Sequence, residues 1–216
     1  MSNQHDHGHT ENAEHGPADH PRTAAEWDER YNSAERLWTA EANPALMREA
    51  AGLKPGRALD VGSGEGADAR WLADRGWEVV AVDISQVALD RAAAIDPREA
   101  ISWRQVDLMT EPVPGGPFDL VTASYFHVDA DRGDVFAKLA DALSPGGTLL
   151  VVVHDPEGMR AHGVNPDDYL QPKDIAEQLA DRFDVEVLGI VARGRPAGGT
   201  AAQQHMDDSI LKARRR

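Results

Sequence analysis

The run Leu59 to Gly66, LDVGSGEG, sets an acid and three glycines at alternate positions after a short apolar stretch. Glycines at 62, 64 and 66 admit positive φ and let a ligand approach the backbone with no Cβ in the way. The residues that follow (Ala67, Arg70, Trp71, Leu72, Arg75) have helical spacing, so the first N–H groups of that helix are expected to face the ligand. Asp83 closes the next apolar run, EVVAV, seventeen residues after Gly66. A carboxylate there accepts hydrogen bonds from both ribose hydroxyls of an adenosine cofactor, and it suits equally a cap on the helix from Ser85 onward. Asp107 ends a third strand pattern, where it suits either the exocyclic amine of adenine or plain exposure in a loop.

The glycine turn alone leaves the cofactor open, because GSGEGA also fits the dinucleotide fingerprint G-x-G-x-x-G/A. An NAD-linked oxidoreductase is therefore one reading. The charges point elsewhere. Asp60, two residues ahead of Gly62, and Glu65 inside the turn would repel a pyrophosphate but welcome an ammonium group. S-adenosylmethionine (SAM) carries an α-ammonium and a sulfonium.

A second group, Ser124, Tyr125, His127, Asp129, His154 and Asp155, falls at the ends of two later strand patterns. Methyl transfer from a sulfonium is an in-line displacement in which the protein supplies alignment and excludes water. A thiol, selenol or tellurium nucleophile ionises unaided, whereas an alcohol or phenol benefits from a base. His127 is the first candidate base and His154 the second, although both suit strand capping or pocket lining as well. Trp27 and Tyr31 read as an amphipathic stripe packed on the core. Trp38, beyond the end of that helix, reads as a roof whose ring could face a sulfonium.

The elements that must position these groups alternate. Strands are expected at 57–61, 78–83, 101–106, 118–124 and 147–154, with helices at 66–75, 85–95 and 132–143 between them. Near-continuous apolar strands such as LLVVV signal a parallel sheet covered on both faces. After a helix at 172–182, strands at 185–193 and near 204–213 flank a Gly/Pro-rich loop, a hairpin whose last strand runs antiparallel. Thr23 and Glu26 signal the start of an N-terminal helix, and Asn43-Pro44 the start of a second. Residues 156–171 show no regular pattern and are expected to shape the acceptor pocket.

The 216 residues suit one domain, at 23–216, with a helical N-terminal segment at 23–52. Residues 1–22 are polar, hold five of the nine histidines, and are expected to be disordered. A non-catalytic SAM-binding or metal-responsive module using that tail is a third reading, although no metal site is expected in the folded part. The formal net charge of −15 disfavours nucleic acid as a partner. No cysteine is present, which excludes disulfides and thiolate chemistry, and no apolar run reaches membrane-spanning length. A cytoplasmic protein with no membrane partner is expected.

On LDVGSGEG, WEVVAVDIS (Trp77 to Ser85), Asp107, FDLVTASYFHV (Phe118 to Val128) and LSPGGTLLVVVHD (Leu143 to Asp155), the chain resembles the class I SAM-dependent methyltransferases. The resemblance implies an α/β, Rossmann-like doubly wound sheet of seven strands, order 3-2-1-4-5-7-6, with strand 7 antiparallel. It implies SAM as cofactor, held by Trp38, Asp60, Gly62, Ser63, Gly64, Asp83, Ile84, Asp107, Leu108 and Ser124, and a small-molecule methyl acceptor. WDERY (Trp27 to Tyr31) followed by LWTAEANPAL (Leu37 to Leu46) is similar to the tellurite-resistance and thiopurine-methyltransferase-like branch. That likeness implies an N-terminal segment closing over the cofactor.

Overall fold

Four apolar strands lie side by side at the centre of the molecule, each too hydrophobic to expose either face. A computed structural model describes residues 21–192 and 207–216. It places β1 (Arg57–Val61) between β2 (Glu78–Asp83) and β4 (Phe118–Ser124), all parallel, with Asp60 opposite Ala81 on one side and Thr122 on the other. β3 (Ile101–Gln105) extends the sheet beyond β2, and β5 (Leu143–His154) extends it beyond β4. β7 (Asp208–Arg215) runs antiparallel between β5 and β6 (Phe183–Val191). The order is β3-β2-β1-β4-β5-β7-β6, the seven-stranded class I methyltransferase arrangement implied by the resemblance.

Two cores cover the sheet, one on each face. One gathers Val121, Phe136, Leu139 and Leu149; the other gathers Leu46, Leu72, Trp77 and Leu120. The helices between strands, α3 (Ala67–Ala73), α4 (Gln86–Ile95) and α5 (Asp134–Asp141), are shorter at their ends than the sequence pattern suggests. β5 starts four residues earlier than expected. The Ser-Pro-Gly-Gly turn is a bulge inside it, because the pairing jumps from Phe118–Leu143 to Leu120–Thr148 and Gly146 takes φ 78°. The patternless stretch after β5 folds into α6 (Pro156–Ala161) and a 3-10 turn at Pro166–Asp168, and α7 (Pro172–Gln178) follows. The His-rich stretch 1–20 and the hairpin loop lie outside the described residues.

At the N-terminus, α1 (Ala24–Asn32) begins with the expected capping box between Thr23 and Glu26. α2 (Pro44–Ala50) begins at Asn43, whose Oδ1 accepts the Ala45 and Leu46 N–H groups at 2.8 and 3.3 Å. α1 packs against α4, and its Asp28 Oδ1 accepts the Ser85 hydroxyl at 2.6 Å and the Val87 N–H at 3.2 Å. A carboxylate beside the first turn of α4 also complements that helix dipole. Asp28 carries no sequence signal, since a polar residue beside an amphipathic stripe looks solvated.

Candidate functional site

The carboxyl ends of β1, β2, β4 and β5 open at one edge of the sheet, the edge where open α/β sheets place ligands. Gly62, Gly64 and Gly66 all take positive φ (66°, 51° and 79°) and turn the chain from β1 into α3. Their reasons differ. A Cβ on Gly66 would lie 2.4 Å from the Trp103 ring, so this glycine lets α3 pack closely on β3. A Cβ on Gly64 would lie 2.9 Å from the Tyr31 hydroxyl, beneath the N-terminal segment.

Three amides of the turn are directed inward. Ser63 N–H donates to the Val82 carbonyl at 2.9 Å and Gly66 N–H to the Ser63 carbonyl at 2.8 Å. Gly64 N–H donates to Asp83 Oδ2 at 2.8 Å, while Asp83 Oδ1 accepts the Ser85 N–H at 2.9 Å. Asp83 thus braces both the glycine turn and the start of α4, and each of its oxygens keeps a lone pair for a ribose hydroxyl. Burial pushes its carboxyl above the usual range, against the pull of those backbone donors.

Asp60 is 1% exposed, and its Oδ2 has no hydrogen-bond partner. Burial first, then the nearby charges of Asp68 and Asp83, raise its carboxyl well above the ordinary range. The hydroxyls of Thr122, Ser124 and Ser63 are likewise buried without a partner. Ser124 sits close enough to Asp68 to favour its charged form without reaching hydrogen-bond geometry, and the Asn43 N–H donates to Asp68 at 2.7 Å. Native interiors rarely leave so many polar atoms unsatisfied in one place. An ammonium ion beside Asp60 and a polar ligand along Ser63 and Ser124 would satisfy them, so this edge fits SAM. Asp68 looked like an ordinary first-turn acid in the sequence, and only the fold brings it beside Asp60.

Glu65 departs from the sequence reading. Its carboxylate accepts the backbone N–H groups of Leu37 and Trp38, each at 3.2 Å, and pairs with Arg91 at 3.2 Å. It holds the N-terminal segment rather than a cationic ligand. Tyr31 departs as well. It is 3% exposed, and its hydroxyl, above Gly64, accepts the Trp38 indole N–H at 3.0 Å. Trp38 itself is 46% exposed, with its ring 3.6 Å from the Gly64 Cβ position. Both aromatic residues lie over the turn, so Tyr31 is more than a core-packing residue.

Asp107 accepts the Met109 N–H and the Thr110 hydroxyl, both at 2.9 Å, and so builds its own turn. Leu108 is buried in the core, and the Ile84 carbonyl accepts Gln105 Nε2 at 3.0 Å.

On the other side of the edge, Tyr125 takes φ 55° and its ring stacks on His154 at 4.5 Å between centroids. The Tyr125 hydroxyl donates to Asp208 at 2.9 Å. His127 lies 6.1 Å from His154 and meets Tyr169 edge-on at 5.5 Å. Tyr169 reaches this wall through a bridge to Asp129, which no sequence pattern announced. His154 Nδ1 is buried without a partner, and burial lowers its pKa, favouring the neutral ring. Asp155, by contrast, is committed to structure: it caps α6 through the Glu157 and Gly158 N–H groups and accepts the Asp207 N–H at 3.1 Å. Among the described residues no group of three or more His, Asp or Glu is arranged to hold a metal ion. No described helix is long and apolar enough to cross a membrane.

Residues 58–147, from β1 into β5, match the family model of the methyltransferase domain. Over that stretch the chain is similar to methyltransferase domains. It is 38% identical over 104 residues to an uncharacterized methyltransferase of Mycobacterium tuberculosis, covering 47% of this chain and 52% of that protein. A demethylmenaquinone methyltransferase of Thermus thermophilus is 32% identical over 144 residues, covering 62% of this chain and 66% of that protein. The chain thus spans about half to two thirds of the length of these relatives. The fold of the domain is shared with the N-methyltransferase NodS of Bradyrhizobium japonicum, solved with S-adenosylhomocysteine (SAH). There the TM-score is 0.70 at 18% identity, covering 90% of this chain and 99% of the other.

Proposed function

We propose that this protein transfers the methyl group of SAM to a small-molecule acceptor. The observation that carries the reading is the set of orphaned polar atoms beside the glycine turn, Asp60 Oδ2 above all, in a fold shared with SAM-dependent enzymes. SAM supplies an electrophilic methyl on a positively charged sulfur. The chain does the rest: Asp60 meets the ammonium, Asp83 the ribose hydroxyls, and Ser63 and Ser124 the remaining polar edge. Gly62 and Gly64, both at positive φ, carry the turn past the ligand, Trp38 covers it, and Ile84, Asp107 and Leu108 border the adenine. A pyrophosphate has no comparable place, because Asp60, Asp68 and Asp83 gather where its charge would fall. That weighs against the NAD-linked alternative.

His127, His154, Tyr125 and Tyr169 form the acceptor side of this reading. The formal charge of −15 opposes a nucleic acid there. The N-terminal segment, residues 23–52, serves as the roof. Its attachment over Gly64 supports kinship with the tellurite-resistance and thiopurine-methyltransferase-like branch. Residues 23–216 then act as one enzyme domain in the cytoplasm.

Titration calorimetry with SAM and SAH tests the reading. Saturable binding that is abolished by Asp83→Ala is expected, and wild-type protein with no affinity for either ligand would overturn it. Screening thiols, phenols, amines and metalloid oxyanions with SAM then identifies the acceptor.

A further inference from the structure

Three strand ends meet where the sheet turns from parallel to antiparallel, and their side chains converge. β5 ends at His154, directly opposite Asp208, the first residue of β7, and Tyr125 follows the last residue of β4. Asp208 is 1% exposed. A carboxylate so deeply buried is costly unless donors meet it.

Tyr125 is the one non-glycine residue at positive φ among the described residues, at 55°. An aromatic residue is strained in that conformation, which persists only where its surroundings over-determine it. Three contacts do so here. The Tyr125 N–H donates to the Val152 carbonyl at 2.7 Å, and its hydroxyl donates to Asp208 Oδ1 at 2.9 Å. Its ring lies on His154, with 4.5 Å between centroids and 23° between planes. The backbone bond sets the chain but leaves the side-chain torsions open. The hydroxyl bond fixes the far end of the ring, so its place over the imidazole is set from β7, 83 residues away in the chain.

We propose that Asp208 is a positioning residue of the acceptor site, which through the Tyr125 hydroxyl holds the phenol ring against His154 and so fixes the plane of the imidazole. The same carboxylate acts on the proton of His154. Burial is the largest influence there and disfavours the imidazolium. The charge of Asp208 is the strongest opposing influence, His162 works with burial, and Asp155 works with Asp208. His127, 6.1 Å away, also faces the ring. The place of His154 beside an acceptor rests on the methyl-transfer reading, whereas its coupling to Asp208 does not, and the test separates the two.

The test is proton–carbon NMR of the histidine rings in the full chain without ligand, from pH 4 to pH 8, with His154 assigned as the signal missing from His154→Gln. Wild-type His154 should show the ring-current shift of a stacked phenol. Asp208→Asn keeps an acceptor oxygen for the Tyr125 hydroxyl and removes the charge. His154 should then charge at a pH lower by about one unit, with the ring-current shift retained. Tyr125→Phe keeps the ring and the charge of Asp208 but removes the tether, so the ring-current shift should shrink. A shift in Tyr125→Phe equal to that of the wild type would overturn the proposal, because packing alone would then hold the ring. A His154 titration unmoved by Asp208→Asn would overturn it as well. If Asp208→Asn does not fold, Tyr125→Phe, which removes a single oxygen atom, decides alone. Calorimetry with SAH on the wild type tests the other reading: no affinity would end the methyl-transfer reading and take the acceptor site out of the proposal, whatever the spectra show.

Discussion

The Glu65 carboxylate accepts the backbone N–H of Trp38 at 3.2 Å, tying the roof to the turn that it covers. The same group takes the Leu37 N–H and the Arg91 guanidinium, so one side chain in the glycine turn fixes the loop after α1 and joins it to α4. A carboxylate so placed makes the position of the roof depend on the conformation of the turn. Asp28, at the other end of the segment, does the same for α4 through Ser85.

Glu65→Ala removes the acceptor for two backbone donors and leaves Arg91 unpaired, a loss of about 2–3 kcal/mol in local stability. Residues 33–42 are expected to exchange their amide hydrogens faster, and SAH affinity should fall while the fold persists. Hydrogen exchange followed by mass spectrometry checks the first, and calorimetry the second. Unchanged protection of that loop would show that the contacts through Glu65 do not hold it.

The strands were legible because they follow from apolar runs and turn residues that act locally, whereas their order came from the resemblance to the class I methyltransferases. The strands β1, β2 and β4 lie within a residue of their expected limits. The site was legible in part. Asp60 and Asp83 occupy strand ends that the pattern locates, whereas Asp28, Asp68 and Tyr169 reach the site through tertiary packing that leaves no periodic mark. Glu65 was misread for a physical reason. A carboxylate in a glycine turn signals a cation, but whether that cation belongs to a ligand or the carboxylate instead serves the protein's own N–H groups depends on a loop 27 residues away. Gly66 shows the same limit, since its need for a bare Cα comes from Trp103 on β3 and not from a ligand.

Asp60 makes stability and binding depend on pH in opposite senses. Its folded pKa lies above the unfolded value of about 3.9, so the folded state holds its proton longer. Stability from this group is therefore full below the unfolded pKa and is lost as pH rises through the folded one. Asp68 and Asp83 shift in the same direction. Asp60→Asn should raise the thermal midpoint of the ligand-free protein at pH 8 and flatten its fall with pH. It should also weaken SAH binding about tenfold, because the ammonium loses its counter-charge. In wild-type protein SAH affinity should decline as Asp60 is protonated. Thermal unfolding and calorimetry from pH 5 to pH 8 check both trends, and a midpoint lowered by Asp60→Asn at pH 8 would contradict this account.

His127 and His154 separate by environment. His154 is buried under the Tyr125 ring, with Nδ1 unpartnered and its pKa lowered by burial, so it remains a neutral proton acceptor below the pH at which an exposed imidazole charges. His127 sits edge-on to Tyr169, a contact that suits lining the pocket. If the acceptor is a phenol or alcohol, His154→Ala should lower kcat by about 10²–10⁴-fold with SAH affinity unchanged. His127→Ala should mainly raise KM. The wild-type kcat profile should lose activity only below the ordinary histidine range, as His154 takes up a proton, and that limb should vanish in His154→Ala. A thiol acceptor, which ionises unaided, should be methylated by His154→Ala nearly as fast as by the wild type. Rates on phenols and thiols across pH 5 to pH 9 decide it: a His154→Ala enzyme with full activity on a phenol would return the role of base to His127.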